Sequence, residues 1–243
     1  HIRSEEATRR IAVLAIADED DRDRAIRALD LGADDLVFTP LDEDELAARV
    51  RTLIRRKRYI EQMSAALDEG LEAAMLDPLT GVGNRRSFDS KMIPLVKRAS
   101  TGGGALSLLL FDLDRFKAVN DEHGHSIGDA LLREFAARLA KTVRPLDIVC
   151  RYGGEEFAVL MPGTGGDLAA LAAERLRKRI AGAPFPVSPS QSLEATASIG
   201  VAAVRPGDEV EDVVKRADEA LYLAKAAGRN RVMSEAGAAP TQP

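Results

Sequence analysis

The sequence predicts an α+β domain from residue 77 to about residue 235, with a mostly antiparallel central sheet flanked by helices. A smaller α/β segment over residues 1–58 and a connecting helix over 59–76 precede it. Three observations carry this. Residues 11–58 alternate apolar runs with helical spacing, Leu106 to Phe111 (L-S-L-L-L-F) reads as a buried central strand ending in acid, and residues 147–161 read as two apolar stretches joined at Gly153-Gly154. Strand-helix alternation implies a parallel pair with crossovers, whereas a Gly-Gly joint between apolar stretches implies an antiparallel hairpin.

Taken in order, residues 11–17 (I-A-V-L-A-I-A) form the first strand, and residues 21–31 carry Ala25, Ile26 and Leu29 at helical intervals before Gly32. Asp35 to Phe38 is a second short strand broken by Pro40, and residues 42–58 place Leu46, Val50, Leu53 and Ile54 on one helical face with basic residues at its end. Ile60, Met63, Leu67, Leu71 and Ala74 approximate a heptad interrupted by Gly70, so residues 59–76 are expected to connect the two parts, either packed on one domain or paired with a second copy. Asp77 to Arg86 (D-P-L-T-G-V-G-N-R-R) is a turn-rich entry into a helix, and Gly102-Gly103-Gly104 resets the chain before Leu106.

The 243 residues are 45% hydrophobic and 30% charged, enough to build real cores, and the net charge of −5 with no long basic stripe argues against nucleic acid as partner. No apolar run is long enough for a bilayer span or a signal segment, so a cytoplasmic location with no membrane partner is expected. Cys150 is the single cysteine; it excludes an intramolecular disulfide and is expected to pack rather than react.

Chemistry concentrates at two strand ends. Asp112 terminates a buried strand, where an unpaired charge is costly, and Asp114 shares its side by the two-residue period. Glu155 and Glu156 sit at the hairpin tip, where the Gly-Gly pair is expected to supply positive φ angles. Adjacent carboxylates repel unless a cation joins them, and a divalent metal is the natural candidate, although a solvated acidic turn accounts for the hairpin alone equally well. Asn120 and Asp129, just beyond the strand, combine an amide with a carboxylate and are able to read a guanine edge, or simply to cap helices. His123 and His125 lack a third nitrogen or sulfur ligand for zinc.

The residues F-D-L-D-R-F-K-A-V-N-D-E-H-G-H-S-I-G-D from Phe111, R-Y-G-G-E-E-F from Arg151, S-I-G-V from Ser198 and A-D-E-A-L-Y-L-A-K-A-A-G-R-N from Ala217 to Asn230, in this order, resemble the GGDEF family of diguanylate cyclases. The resemblance spans residues 77 to about 232 and implies a sheet like the palm of nucleotidyl cyclases. It also implies that two GTP molecules, one on each domain of a homodimer, condense into c-di-GMP with loss of two pyrophosphates. By the same resemblance Asp112, Glu156 and the Leu113 carbonyl would bind Mg²⁺, with Mn²⁺ as a substitute. Glu155 would bind metal or take the hydroxyl proton, and Asn120 and Asp129 would read guanine. Arg115, Phe116, Lys225 and Arg229 would complete the substrate site, the last two facing one way from adjacent helical turns. Arg144 and Asp147 stand at the family's R-x-x-D product-inhibition position, with Arg175 completing that site and Arg98 reaching it from another domain.

The stretch Ala25 to Asp35 (A-x-x-A-L-x-x-G-A-D-D) resembles the end of a response-regulator receiver, but only half of such a domain is covered. The phosphoacceptor part is absent and Thr39 stands where receivers carry lysine, so phosphorylation of this chain is not expected. The alternative function is a catalytically silent module that binds c-di-GMP or GTP; the presence of Asp112, Glu155 and Glu156 favours the enzyme. The letters E-A-L at Glu219 to Leu221 lie inside the last helix and bring no phosphodiesterase barrel.

Overall fold

The computed structural model describes residues 11–234 together with residues 4, 5 and 8, with backbone alone at 65–69 and 72. The expected C-terminal tail to residue 243, and the side chain of Leu67 in the heptad, lie outside the described parts. The chain divides into two compact units, residues 1–72 and 73–243. Among the described residues no helix is long and apolar enough to cross a membrane.

The first unit holds β1 (Leu14–Asp18), α1 (Arg22–Asp30), β2 (Asp35–Thr39) and α2 (Glu43–Ala73), and β1 and β2 pair in parallel as the alternation predicts. The Asp21 side chain caps α1 by accepting from the Arg24 N–H. The helix expected over 42–58 and the connecting helix beyond it run as one, because Gly70 meets no steric demand that would break the helix there. Ile60, Met63 and Leu71 are exposed on α2.

The second unit contains α3 (Arg85–Ser100), β3 (Leu106–Leu113), α4 (Phe116–His123), α5 (His125–Thr142), β4 (Ile148–Arg151), β5 (Glu156–Pro162), α6 (Gly166–Ala181), β6 (Phe185–Ser188), β7 (Gln191–Leu193), β8 (Ala197–Ala203), α7 (Val210–Ala226) and β9 (Val232–Ser234). Its central sheet has the order β4-β5-β3-β8-β9; only β8 and β9 pair in parallel. The expected α+β class with a mostly antiparallel sheet is what this unit has. The small β6–β7 hairpin and the edge strand β9 were not foreseen from sequence, being three or four residues each.

β3 is buried along its whole length because both faces of the sheet are covered. Leu109, Phe111 and Leu113 point into a core closed by Leu131, Phe135 and Leu139 of α5 and by Ala173, Leu176 and Ile180 of α6. Leu106, Leu108 and Leu110 point the other way, against Phe88 and Met92 of α3 and Val213, Ala217 and Leu221 of α7. Burying each large apolar side chain contributes about 1.5–3 kcal/mol, so these two layers hold the strand rigidly. Helix α7 lies so close to β8 that a Cβ on Gly200 would come 2.1 Å from the Ala217 carbonyl oxygen. Cys150 is fully buried, and burial pushes its thiol up to about 11, consistent with packing rather than reactivity.

Candidate active site

The two-residue period that sends Leu108 and Leu110 toward α7 carries Asp112 to the same face at the rim of the sheet. In the antiparallel register Asp112 lies opposite Glu156, the first residue of β5. The hairpin that delivers Glu156 is the expected one, but neither Gly153 nor Gly154 has a positive φ. The four-residue link needs no left-handed residue; a Cβ at Gly153 would sit 2.8 Å from Glu156 Oε2, a contact the flexible glutamate can relieve by turning aside.

Asp112 does not stand alone. Lys225 Nζ, from the last turn of α7, donates to its Oδ2 at 2.6 Å, and the Arg229 charge also acts on it. Burial nevertheless raises the Asp112 carboxyl, and the Asp114 charge adds to this. Glu155 is raised as well, first by burial and then by the Asp112 carboxylate. The rim is therefore an acid-rich pocket partly neutralised by one lysine. Arg229 lies beyond the end of α7 in a left-handed turn, not one helical turn after Lys225, yet both charges reach Asp112.

A metal here would find carboxylate oxygens as donors, from Asp112 and Glu156 opposite each other in the sheet register. Among the described residues no group of three His, Cys, Asp or Glu is preassembled for a metal. The donor set fits a hard cation such as Mg²⁺ that takes a few carboxylates and leaves its remaining positions to substrate phosphate and water. Lys225 shows that one Asp112 oxygen already accepts a cationic partner.

Asp114 lies one residue beyond the end of β3, and its charge acts on Asp112. Its carboxylate accepts from Thr196 Oγ1 and Ser198 Oγ, each at 2.6 Å, and from the Asn230 N–H at 2.9 Å, which makes it a structural anchor. Arg115 follows in a left-handed conformation (φ 60°) and opens α4 without a side-chain cap, leaving first-turn N–H groups for an anion. Phe116 is buried in the core. Gly124 (φ 84°) turns the chain from α4 into α5, and the Asn120 side chain lies against Gly128. A Cβ at Gly128 would lie 1.9 Å from Asn120 Oδ1, so the Asn120 amide packs over that glycine, one residue before Asp129.

Arg144 and Asp147 form a tight pair: Nη2 donates to Oδ1 at 2.7 Å, Nε to Oδ2 at 3.2 Å, and the Arg144 N–H to Oδ2 at 3.0 Å. The Asp147 side chain is 0% exposed, so it faces its arginine and not solvent. Arg144 and Arg175 line one open cavity of about 430 Å³ with Met161, Thr164, Leu168 and Leu171. Arg98 is not among its lining residues; its Nε donates to the Gly103 carbonyl at 2.9 Å.

Sequence reasoning missed Arg151 and Asp77. Arg151 donates to Asp77 at 3.1 Å and, from Nη2, to the Gly154 carbonyl at 2.7 Å, tying the hairpin tip to the turn before α3. Burial pushes the Asp77 carboxyl up, but hydrogen bonds from Thr80 and Arg151 outweigh it and leave it below its ordinary range. The only sequence signal was the acid opening the turn-rich stretch.

Residues 74–231 match the family described as diguanylate cyclase, GGDEF domain. The response regulator PleD of Caulobacter vibrioides is 51% identical over 237 residues, 97% of this chain and 52% of PleD. The diguanylate cyclase DgcP of Pseudomonas aeruginosa is 40% identical over 78% of this chain and 29% of its own length. The chain thus spans about half of PleD and less of DgcP. Among solved structures, the coiled coil and GGDEF domain of DgcB from Caulobacter crescentus, in complex with c-di-GMP, superposes with a TM-score of 0.70 at 32% identity, covering 78% of this chain and 98% of that one.

Proposed function

Because the chain belongs to the GGDEF family of diguanylate cyclases, we propose that it condenses two GTP molecules into c-di-GMP and two pyrophosphates. Each 3'-hydroxyl attacks the α-phosphate of the other nucleotide across a homodimer of cyclase domains. The observation that carries this reading is the rim where Asp112 and Glu156 face each other across two strands beside Glu155, Lys225 and the charge of Arg229. Oxygen donors for a divalent cation and cations for phosphates stand within one pocket.

Asp112, Glu156 and the Leu113 carbonyl would hold Mg²⁺, or Mn²⁺ in its place. When bound, the metal activates the attacking oxygen and neutralises charge developing around phosphorus. Glu155 would support a second ion or accept the hydroxyl proton. Lys225 and Arg229, with the uncapped start of α4 at Arg115 and Phe116, would hold the phosphates. Incubating the protein with GTP and Mg²⁺ and identifying the products by mass spectrometry tests the reading directly; unconsumed GTP, or any product other than c-di-GMP, rejects it.

Asn120 and Asp129 would bind the guanine edge, the carboxylate accepting from the ring N–H and exocyclic amine. Asn120→Ala and Asp129→Ala are expected to reduce the preference for GTP over ATP by about tenfold or more, since a site built on polar base edges rejects a base that leaves them unpaired. Competition by ATP measures this, and unaltered discrimination in both variants would remove the pair from the base site.

We further assign product binding to Arg144 and Arg175, with Asp147 orienting Arg144, and with Arg98 contributed by another domain. Arginines suit such a ligand because they pair with phosphate and stack on purines. Arg144→Ala is expected to weaken c-di-GMP binding by about tenfold or more and to relieve inhibition that GTP does not overcome. Asp147→Ala should act in the same direction by releasing Arg144. Initial rates against added c-di-GMP at several GTP concentrations decide it: inhibition that GTP fully overcomes argues against a separate site. Residues 1–58 are assigned to a partial receiver-like segment, 59–76 to a linker whose helical part is the end of α2 at Ala73, and 77–243 to the cyclase.

A further inference from the structure

Beyond Ala226, where α7 ends, the chain passes through three consecutive residues of positive φ: Gly228 at 115°, Arg229 at 63° and Asn230 at 45°. Glycine adopts this conformation freely, but arginine and asparagine do so only where their surroundings hold them. Two bonds from distant elements hold Asn230. Its N–H donates to Asp114 Oδ2 at 2.9 Å, and its Oδ1 accepts from Arg177 Nη1 at 2.7 Å.

Both anchors are themselves fixed. Asp114 is held by the Thr196 and Ser198 hydroxyls. Arg177 is held on α6 by a two-bond pair with Glu174, Nε to Oε2 at 2.8 Å and Nη2 to Oε1 at 2.7 Å, with the two side chains only 18% and 20% exposed. The neighbours Ala173 and Leu176 are buried in the core, so α6 cannot easily rotate. An Arg–Glu pair three residues apart on a helix is ordinarily a surface detail of little weight. This one also reaches Asn230, 53 residues away, beside the arginine whose charge acts on Asp112.

We propose that Arg177 is a positioning residue for nucleotide binding: by holding Asn230 it fixes the left-handed turn that presents Arg229 to the substrate phosphates. The proposal rests on the reading of this rim as a GTP site. Without Arg177 the turn keeps the Asp114 anchor, the Arg229 N–H bond to the Ala224 carbonyl at 3.0 Å and the Arg231 Nε bond to the Arg229 carbonyl at 3.1 Å, but it loses the bond that holds the Asn230 side chain and spends part of its time in other conformations. The affinity for the nucleotide then falls by the fraction of time Arg229 is misplaced. Chemistry in the molecules that do bind is unaffected by this loss.

The test uses 3'-deoxy-GTP, which lacks the attacking hydroxyl, titrated with Mg²⁺ into the parent, Arg177→Ala, Arg177→Lys, Arg229→Ala and the Arg177→Ala/Arg229→Ala double variant. Arg177→Ala is expected to weaken binding about tenfold, the effect of one charge-assisted contact. Arg177→Lys should recover part of that, because an ammonium can still reach Asn230 but cannot match the two-bond pair with Glu174. The double variant should bind no more weakly than Arg229→Ala alone, since both act through one group. Hydrogen exchange in nucleotide-free protein should show faster exchange at residues 228–231 in Arg177→Ala, with β3 and β5 still protected. Asn230→Ala cuts the same link from an exposed residue and should reproduce the loss of affinity.

Parental affinity in Arg177→Ala with the turn released, additive effects in the double variant, or parental affinity in Asn230→Ala would each overturn the proposal; the last applies even if Arg177→Ala fails to fold. A parent that binds the analogue but forms no c-di-GMP from GTP overturns the cyclase reading and leaves the positioning role standing. A parent that does not bind the analogue overturns both.

Discussion

Glu156→Ala and Asp112→Ala are each expected to lower GTP turnover at least about a thousandfold, because each removes a carboxylate from the donor set for a metal that offsets several kcal/mol of developing charge. Neither should unfold the protein. Glu156 opens β5 at the rim, and its loss leaves the Phe157, Val159 and Met161 face of that strand in place. Asp112→Ala also strands Lys225, but the lysine is 32% exposed and can turn to solvent, so the stability change should stay near 1 kcal/mol. Initial rates of c-di-GMP formation beside thermal melts separate the two effects. A variant that turns GTP over at the parental rate would take its residue out of the metal site, and one that melts early would show it to be structural.

Gly200→Ala should do the reverse and damage the fold first. The new Cβ would lie 2.1 Å from the Ala217 oxygen and 2.4 Å from the Leu221 nitrogen, both backbone atoms of α7. No side-chain rotation relieves such a contact, so α7 must move away from β8, opening the layer formed by Val213, Ala217 and Leu221. A loss of about 3 kcal/mol or more in denaturant unfolding is expected. Lys225 rides on α7, so whatever protein remains folded should also bind nucleotide less well. An unchanged denaturation midpoint would mean that α7 does not pack on β8 as closely as the structure places it.

Much of this could be read from the chain because local pattern and burial agree. The apolar run Leu106 to Phe111 has no polar alternation since α5 and α6 cover one face of β3 and α3 and α7 the other. The acidic hairpin was likewise legible, but the role expected for its glycines was not: neither Gly153 nor Gly154 adopts a left-handed conformation. Gly200 and Gly128 answer to atoms of α7 and α4, which no local pattern announces. The same holds for Lys225 meeting Asp112 across 113 residues and for Arg151 meeting Asp77 across 74. The end of α7 was legible in Gly228, which takes the left-handed place just past the helix, but the expectation that Lys225 and Arg229 share a helical face carried the helix past it.

The placement of the acids has a consequence for how such a protein can change. Asp112, Glu155 and Glu156 cluster at one end of strands whose interiors are filled by leucine, valine, phenylalanine and alanine. Interior packing supplies the scaffold, and the rim would supply the proposed reactivity, with little overlap between the residues responsible for each. A descendant of this chain could therefore lose turnover by one or two substitutions at the rim and still fold, keep the Arg144–Arg175 cavity and persist as a sensor. Conversely, an assay of folding alone would score an inert variant as healthy. Selection acting on abundance and selection acting on signalling would then read different parts of the same gene.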